Sequence, residues 1–239
     1  MQNTNTVAEL ATAIPRAIPV LERLGIDYCC RGKQSIEEAC RRSGVTAQEL
    51  LLLIDSEASP GAAAPDASLS ELMGFIVATH HIFTRDSLAT LQRLSKKVRD
   101  VHGANHPELV RVAVLVTDLS DELLPHMMKE EQVLFPYVTA LEAAALAGDE
   151  PPVPFFGTVR NPIQMMMSEH EAAGEKIAEI RAATDDFALP AEACGSYRGL
   201  FDLLQELERD LHRHIHLENN ILFPQAIAVE EKTQVTQLR

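Results

Sequence analysis

The sequence predicts an all-α fold in which a small helical unit precedes an antiparallel four-helix bundle. Apolar residues recur at helical spacing, rather than in strict alternation, along four long segments. The connections between these segments, near residues 100–106, 146–162 and 184–195, are rich in Gly, Pro and polar residues. Hydrophobic residues make up 46 % of the chain but aromatic residues only 5 %, without any Trp. A core of Leu, Ile, Val, Ala and Met is typical of helix bundles, which supports this prediction.

Residues 1–55 are expected to form the N-terminal unit. Ser35-x-x-Glu38 and Thr46-x-x-Glu49 match the capping box, in which the side chain of each residue bonds the backbone of the other. Each match therefore predicts the start of a short helix. Pro15 suits the first turn of another, because its missing N–H is not needed there. The predicted helices cover residues 7–14, 15–24, 35–42 and 46–54.

Residues 56–68 have the composition of a linker. This stretch combines Pro and Gly with small residues, which favours an exposed and irregular path. We therefore expect the bundle to occupy residues 69–230, followed by a tail at 231–239.

Two segments of the bundle are near-copies of each other. Both read His-x-x-x-Glu-x-x-x-Leu-Phe-Pro, beginning at His126 and His214, with 88 residues between the two starts. Residues at i and i+4 lie on one face of an α-helix, about 6 Å apart along its axis. In this way a helix presents two ligands to one metal site. His80 and His170 lie 46 and 44 residues upstream of the two motifs, so the chain reads as a duplicated unit.

Six ionisable residues fall on the apolar stripes of the four bundle helices. Any one of them alone is most simply a core residue bonded to the backbone, since a buried polar group must be paired. Six with duplicated spacing instead predict ligands to metal. Four imidazoles and two carboxylates suit iron, manganese or zinc, and we expect two metals bridged by the carboxylates, with open coordination positions. The predicted ligands are His80, His126, Glu130, His170, His214 and Glu218.

The choice of His80 over its neighbour His81 depends on helical periodicity, which points His81 about 100° away from the stripe. Outside the ligand set, Glu122 and Asp210 lie four residues before His126 and His214. They either accept the second ring N–H of these ligands or are solvated acids.

Other histidines are expected outside the centre. His212 and His216 fall on different faces from His214, where we expect them to be exposed. His102 and His106 belong to a connection that either covers the metal site or is simply solvated.

The charge and composition exclude several classes of partner. A formal net charge of −14 disfavours nucleic acid and anionic membrane surfaces, which repel an acidic protein. A run of about 18 apolar residues and a secretory signal are both missing from the sequence. Four cysteines, two of them adjacent, do not make a secreted disulfide framework. We therefore expect a cytoplasmic protein. The sequence leaves the oligomeric state open, with a homodimer as one alternative.

The two copied segments, together with Ser168-Glu-His-Glu-Ala-Ala-Gly174, closely resemble the hemerythrin-like domain of the di-iron iron–sulfur-cluster repair proteins of the RIC, YtfE or ScdA type. Ile14-Pro-Arg-Ala17 and Asp27-Tyr-Cys-Cys-Arg-Gly-Lys-Gln34 resemble the small N-terminal domain of that family. The resemblance covers nearly the whole chain.

The resemblance implies an oxo- or hydroxo-bridged centre of two non-haem iron ions on the six predicted ligands, with His80 preferred to His81. It also implies a cytoplasmic role in repairing iron–sulfur clusters damaged by nitrosative or oxidative stress. Iron delivery and the binding or reduction of nitric oxide are the activities that it suggests, so whether the protein is an enzyme stays open. The alternative is a non-catalytic protein that binds nitric oxide or oxygen.

Cys29 and Cys30 match the N-terminal motif of the same family. Adjacent cysteines reach ordinary disulfide geometry with difficulty, so we do not expect a structural bridge between them. Either the thiols handle iron or nitrosyl groups or exchange disulfides, or they only pack in a turn.

Overall fold

The computed structural model describes residues 5–57 and 67–237, with side chains to residue 233. Most of the predicted linker, residues 58–66, lies outside the described residues. The N-terminal unit consists of four short helices, and each predicted helix is present. Their bounds are α1 Val7–Ala13, α2 Ala17–Arg23, α3 Ile36–Arg42 and α4 Ala47–Ser56.

Side-chain caps begin three of these short helices. Thr46 and Glu49 form the predicted capping box of α4, and Thr6 forms another with Glu9 at the start of α1. At α3 the Oγ of Ser35 accepts a hydrogen bond from the backbone N–H of Glu38. The apolar faces of the four helices pack into a core of their own, which includes Val7, Leu10, Val20, Leu21, Leu50 and Ile54.

The second unit is the predicted four-helix bundle. The first bundle helix runs from residue 69 to 102, the second from 108 to 147, the third from 160 to 183 and the fourth from 195 to 237. The fourth therefore continues into the predicted tail. Their α-helical parts are α5 Leu69–Ile76, α6 Ile82–His102, α7 Glu108–Lys129, α8 Phe135–Ala147, α9 Arg160–Ala183, α10 Gly195–Leu217 and α11 Phe223–Gln237.

Three of the bundle helices contain one π-helical turn each. These turns, π1 Val77–His81, π2 Glu130–Leu134 and π3 Glu218–Leu222, join α5 to α6, α7 to α8 and α10 to α11. A π turn places one extra residue in the helix, so the face that follows it is rotated relative to a continuous α-helix. All three lie where the sequence predicts metal ligands.

Two apolar clusters fill the bundle on either side of these π turns. One includes Leu88, Leu119, Leu204 and Leu211, and the other includes Ile76, Met166 and Phe223. The layer between them carries the buried ionisable residues. Among the described residues, no helix is both long enough and apolar enough to cross a membrane.

The N-terminal unit is docked on the bundle beside this layer. The Nε and Nη2 of Arg213 donate hydrogen bonds to the two carboxylate oxygens of Glu22, and each of these bonds is 2.9 Å long. The side chain of Cys29 joins an apolar cluster of the bundle. The Sγ of Cys30 lies 3.6 Å from the backbone carbonyl oxygen of His170. The cysteine turn therefore touches the helix that carries one of the predicted ligands.

Candidate metal centre

Four imidazoles and two carboxylates converge in the buried layer of the bundle. They form two overlapping groups that share Glu130 and Glu218, and within each group the donor atoms lie within 4.8 Å of one another. All six residues are buried, with at most 2 % of their surface exposed. One group adds His81 and His214, and the other adds His126 and His170.

The residue from the first bundle helix is His81, so the prediction of His80 is wrong. The Nε2 of His81 lies 3.2 Å from the Nε2 of His214 and 3.4 Å from the Oε2 of Glu130. The Nδ1 of His80 instead lies 2.9 Å from Oδ1 of Asp210. Periodicity failed here because π1 interrupts the α-helix between Ile76 and His81. The extra residue of the π turn brings His81, five positions after buried Ile76, onto the inner face.

The distances in the two groups follow an approximate twofold pattern. The Nε2 atoms of His126 and His170 lie 3.0 Å apart, which matches the pair formed by His81 and His214. The Nε2 of His170 lies 3.1 Å from Oε2 of Glu218, and that of His214 lies 3.0 Å from Oε1 of the same carboxylate. Both copies of the repeated motif thus present imidazole and carboxylate to one point.

Three of the four imidazoles have an acceptor on the ring nitrogen that faces away from the centre. The Nδ1 of His81 lies 2.6 Å from Glu131, that of His126 lies 2.8 Å from Glu169, and that of His170 lies 2.9 Å from the Oδ1 of Asn219. An ionised carboxylate and an amide oxygen only accept, so Nδ1 carries a proton in all three rings. When such a ring is neutral, as in a metal-bound imidazole, the lone pair of Nε2 points into the centre.

Of the two alternatives for Glu122 and Asp210, the hydrogen bond to the ligand four residues later is not formed by either residue. Glu122 forms an ion pair of 2.8 Å with Lys176, and Asp210 binds His80. The acceptors for His81, His126 and His170 come instead from neighbouring helices. Each of them, Glu131, Glu169 and Asn219, directly adjoins a centre residue in the sequence. This adjacency in the sequence is the signal from which the three acceptors could have been predicted.

The charges in the layer are closely coupled. Burial by itself lowers the pKa of His81 and of His126, but Glu130 and Glu218 outweigh it and raise these pKa values to about 10 and about 9. Burial also raises the pKa of Glu218, yet the surrounding imidazoles hold it well below its usual range. The centre therefore keeps both carboxylates ionised and attracts positive charge.

The residues fit a pair of metal ions. Both oxygens of Glu130 and Oε2 of Glu218 are buried and have no hydrogen-bond partner among the described residues. The nearby imidazole nitrogens are within ion-pair distance but do not have hydrogen-bond geometry. Buried carboxylate oxygens without donors are costly unless a cation takes that place. A donor set of imidazole nitrogen and carboxylate oxygen suits iron, manganese or zinc.

Comparison with known proteins also indicates a cation-binding bundle. The family model described as the hemerythrin HHE cation binding domain matches residues 75–226. The chain belongs to this family. A second model, ScdA_N, described as a domain of unknown function, matches residues 3–57.

The chain is also similar along its length to curated relatives called iron-sulfur cluster repair protein YtfE. It is 34 % identical to the one from Musicola paradisiaca, over 94 % of this chain and 97 % of the relative. It is 35 % identical to those from Edwardsiella ictaluri and Escherichia coli O8, over 92 % and 94 % of this chain and 96 % and 97 % of the relatives. The similarity thus includes both the N-terminal unit and the hemerythrin HHE bundle.

The phenylalanines of the repeated motif have matching positions in the hemerythrin HHE bundle. Phe135 is stacked on the ring of His81, with centroids 5.9 Å apart. Phe223 is stacked on His170, with centroids 6.1 Å apart and an angle of 2° between the rings. Each motif therefore supplies an apolar wall to an imidazole of another helix.

His216 is buried rather than exposed, contrary to the sequence prediction. Its ring packs edge-on against Tyr28 of the N-terminal unit, with centroids 5.4 Å apart, and Nδ1 accepts a hydrogen bond from Nδ2 of Asn220. Burial lowers the pKa of His216 to about 4. His212, which is partly buried, also approaches Tyr28. Both histidines thus contribute to docking of the N-terminal unit.

The connection with His102 and His106 does not cover the centre. His102 ends α6, 21 residues after His81, which is about 30 Å along the helix axis. Its Nε2 lies 3.2 Å from the Sγ of Cys194, and His106 lies between Glu108 and Glu192. Both rings also contact Tyr197. These histidines belong to the opposite end of the bundle.

Cys29 and Cys30 are free thiols whose Sγ atoms lie 3.7 Å apart. The Oδ1 of Asp27 accepts hydrogen bonds from both backbone N–H groups, which fixes the turn. The hydrogen bond to Cys30 and burial raise the pKa of Cys29 well above its usual range. The donor atoms of Asp27, Cys29 and Cys30 are close enough together to hold a metal ion.

Proposed function

We propose that this chain is a non-haem di-iron protein that repairs damaged iron–sulfur clusters. The observation that carries the proposal is the buried convergence of four imidazoles on two carboxylates. Three of the four carboxylate oxygens have no hydrogen-bond partner among the described residues. The proposed ligands are His81, His126, Glu130, His170, His214 and Glu218. The names of the similar proteins, which are called iron-sulfur cluster repair proteins, support the biological role.

The protein groups have separate tasks in this proposal. His81 with His214 would hold one iron, and His126 with His170 would hold the other, with Glu130 and Glu218 common to both groups. When bound, the iron pair offers open coordination positions for nitric oxide or another diatomic ligand and a supply of iron. Phe135 and the apolar clusters exclude water, because their side chains close the layer on both sides.

The proposed setting is the cytoplasm, with damaged iron–sulfur proteins as partners. The acidic balance of the chain disfavours nucleic acid as a partner.

Anaerobic reconstitution with ferrous iron tests the proposal. We expect two irons per chain, and we expect the loaded protein to restore activity to an iron–sulfur hydratase that nitric oxide has inactivated. Two nitric oxides, two protons and two electrons give one nitrous oxide and one water, so the ferrous pair alone supplies one nitrous oxide per chain. With an added electron donor, several equivalents of nitrous oxide per chain in the headspace indicate turnover of nitric oxide. A stable nitrosyl without repair supports the alternative of a non-catalytic binding protein. A chain that binds no iron under these conditions overturns the proposal.

Two adjacent histidines provide a matched pair of variants. His81→Ala should lose iron, because its Nε2 faces both carboxylates. His80→Ala should keep two irons, because its described hydrogen bond goes to Asp210. Iron retained in His81→Ala but lost in His80→Ala would contradict the proposed ligand set.

A further inference from the structure

The two proposed iron positions differ in the support that surrounds their imidazoles. Each position contains one histidine whose Nδ1 faces a carboxylate: His81 faces Glu131, and His126 faces Glu169. Both carboxylates are also paired with a cation, Glu131 with Arg85 and Glu169 with Lys129. In this respect the two positions are equivalent.

The second histidine of each position breaks the symmetry. The Nδ1 of His170 lies 2.9 Å from the Oδ1 of Asn219. The Nδ1 of His214 is buried and has no hydrogen-bond partner among the residues that the structure describes. Asn219 thus fixes the tautomer and orientation of His170, whereas nothing among the described residues does the same for His214.

A specific contact engages Asp210, an acid on the same helix as His214. Asp210 lies one helical turn before it, but its Oδ1 is engaged by the Nδ1 of His80. The Oδ2 of Asp210 and the Nδ1 of His214 both lack partners, so the two are not bonded to each other. The ring of His80 is stacked on that of His214, with centroids 5.5 Å apart and an angle of 5° between the planes.

We infer that the position formed by His81 and His214 binds iron more weakly and releases it first, while the position formed by His126 and His170 retains its iron. The inference rests on the proposed function and states which iron is available for delivery. Loss of one outer partner of a metal-bound histidine lowers metal affinity by about 10- to 100-fold. The two positions share Glu130 and Glu218, so the shared ligands do not produce this difference.

Release to a ferrous chelator tests the inference. The chain is loaded anaerobically with two equivalents of ferrous iron and mixed with excess ferrozine, and absorbance is followed over time. We expect two phases of equal amplitude, with rates that differ by about 10-fold or more. Equal release rates for the two irons overturn the inference but leave the proposed function intact. Failure to bind two irons instead overturns the proposed function.

Variants of the outer partners assign the phases. Asn219→Leu removes the acceptor of His170, so only the slow phase should accelerate. Asn219→Asp supplies a carboxylate in its place and should slow that phase. Glu131→Gln should accelerate only the fast phase. Glu122→Gln is the control, because Glu122 pairs with Lys176 away from the centre, and both phases should stay unchanged.

His80→Leu provides an independent test. The substitution frees Asp210, which can then accept a hydrogen bond from the Nδ1 of His214. The fast phase should slow toward the other phase. Thermal unfolding of each metal-free variant checks that it is folded. A slow phase unaffected by both Asn219 substitutions in folded protein contradicts the assignment.

Discussion

The ring of Phe223 lies parallel to the imidazole of His170, with 6.1 Å between the ring centroids. Phe223 is only 2 % exposed, so this wall of the centre is part of the packed core. The repeated Leu-Phe-Pro segment therefore links two tasks: it packs the bundle and restrains an imidazole of a neighbouring helix.

Replacing this ring should affect both stability and metal retention. Phe223→Ala should lower the free energy of unfolding by about 3–5 kcal/mol, and His170 should lose its restraint. We expect faster release of iron to a chelator in the folded variant. Phe201→Ala is the matched control, because Phe201 is equally buried but lies in the other apolar cluster. It should cost similar stability in chemical denaturation and leave iron release unchanged, and equal release from both variants would count against a local role.

Close packing between Cys30 and Gly174 predicts a way to loosen the N-terminal unit. A Cβ atom added to Gly174 would lie 3.2 Å from the Sγ of Cys30. Gly174→Leu should therefore displace the cysteine turn and increase the rate at which Cys29 and Cys30 react with a thiol reagent. Gly199→Leu is the control, because a Cβ at this helical glycine meets no atom within 4 Å. Unchanged thiol reactivity in Gly174→Leu would contradict this docking contact.

The ion pair between Glu22 and Arg213 should contribute measurably to docking. Arg213 is about half exposed, which reduces the contribution expected from the pair. Arg213→Met should therefore lower the free energy of unfolding by about 1 kcal/mol. A double-mutant cycle with Glu22→Gln measures the coupling by chemical denaturation. Additive losses would show that the two side chains do not interact energetically.

Cys194 should be the most reactive thiol of the chain near neutral pH. The hydrogen bond with His102 and the backbone N–H groups at the start of α10 lower its pKa to about 7. The thiolate is the reactive form, so alkylation by iodoacetamide should rise with pH around 7 and level off above 8. His102→Phe should move this rise to higher pH. Peptide mass spectrometry gives the rate for each cysteine, with buried Cys40 as the slow internal reference.

Much of the architecture could be predicted because it follows from local patterns. Capping residues such as Thr46 and Glu49 mark helix starts, and apolar stripes identify the faces that pack together. The repeated His-x-x-x-Glu spacing was informative because its two members are four residues apart on one helix. The prediction of an all-α bundle after a small helical unit is confirmed by the structure, and its resemblance to the hemerythrin family is confirmed by the comparisons.

The structure differs from the prediction in two situations. One is a helical period continued through a π turn, and the other is a search for the partner of an imidazole on its own helix. His80 was chosen by continuing an α-helical period through π1, where an extra residue changes which side chain faces inward. One of the two alternatives for Glu122 was a hydrogen bond to His126 along the same helix, but the acceptor is Glu169 of another helix. When one ring nitrogen of an imidazole faces the centre, the other ring nitrogen faces a neighbouring helix. The spacing of residues along the imidazole's own helix therefore does not predict the partner of that second nitrogen.

The sequence by itself determined the helices, the repeat and the chemical nature of the donor set, because these depend on residue type and on spacing within single helices. Only the tertiary structure decided which of two adjacent histidines faces the carboxylates and which groups hold each ring. Those choices depend on the rotation that π turns introduce and on side chains that meet across helices. Both are properties of packing between segments far apart in the chain.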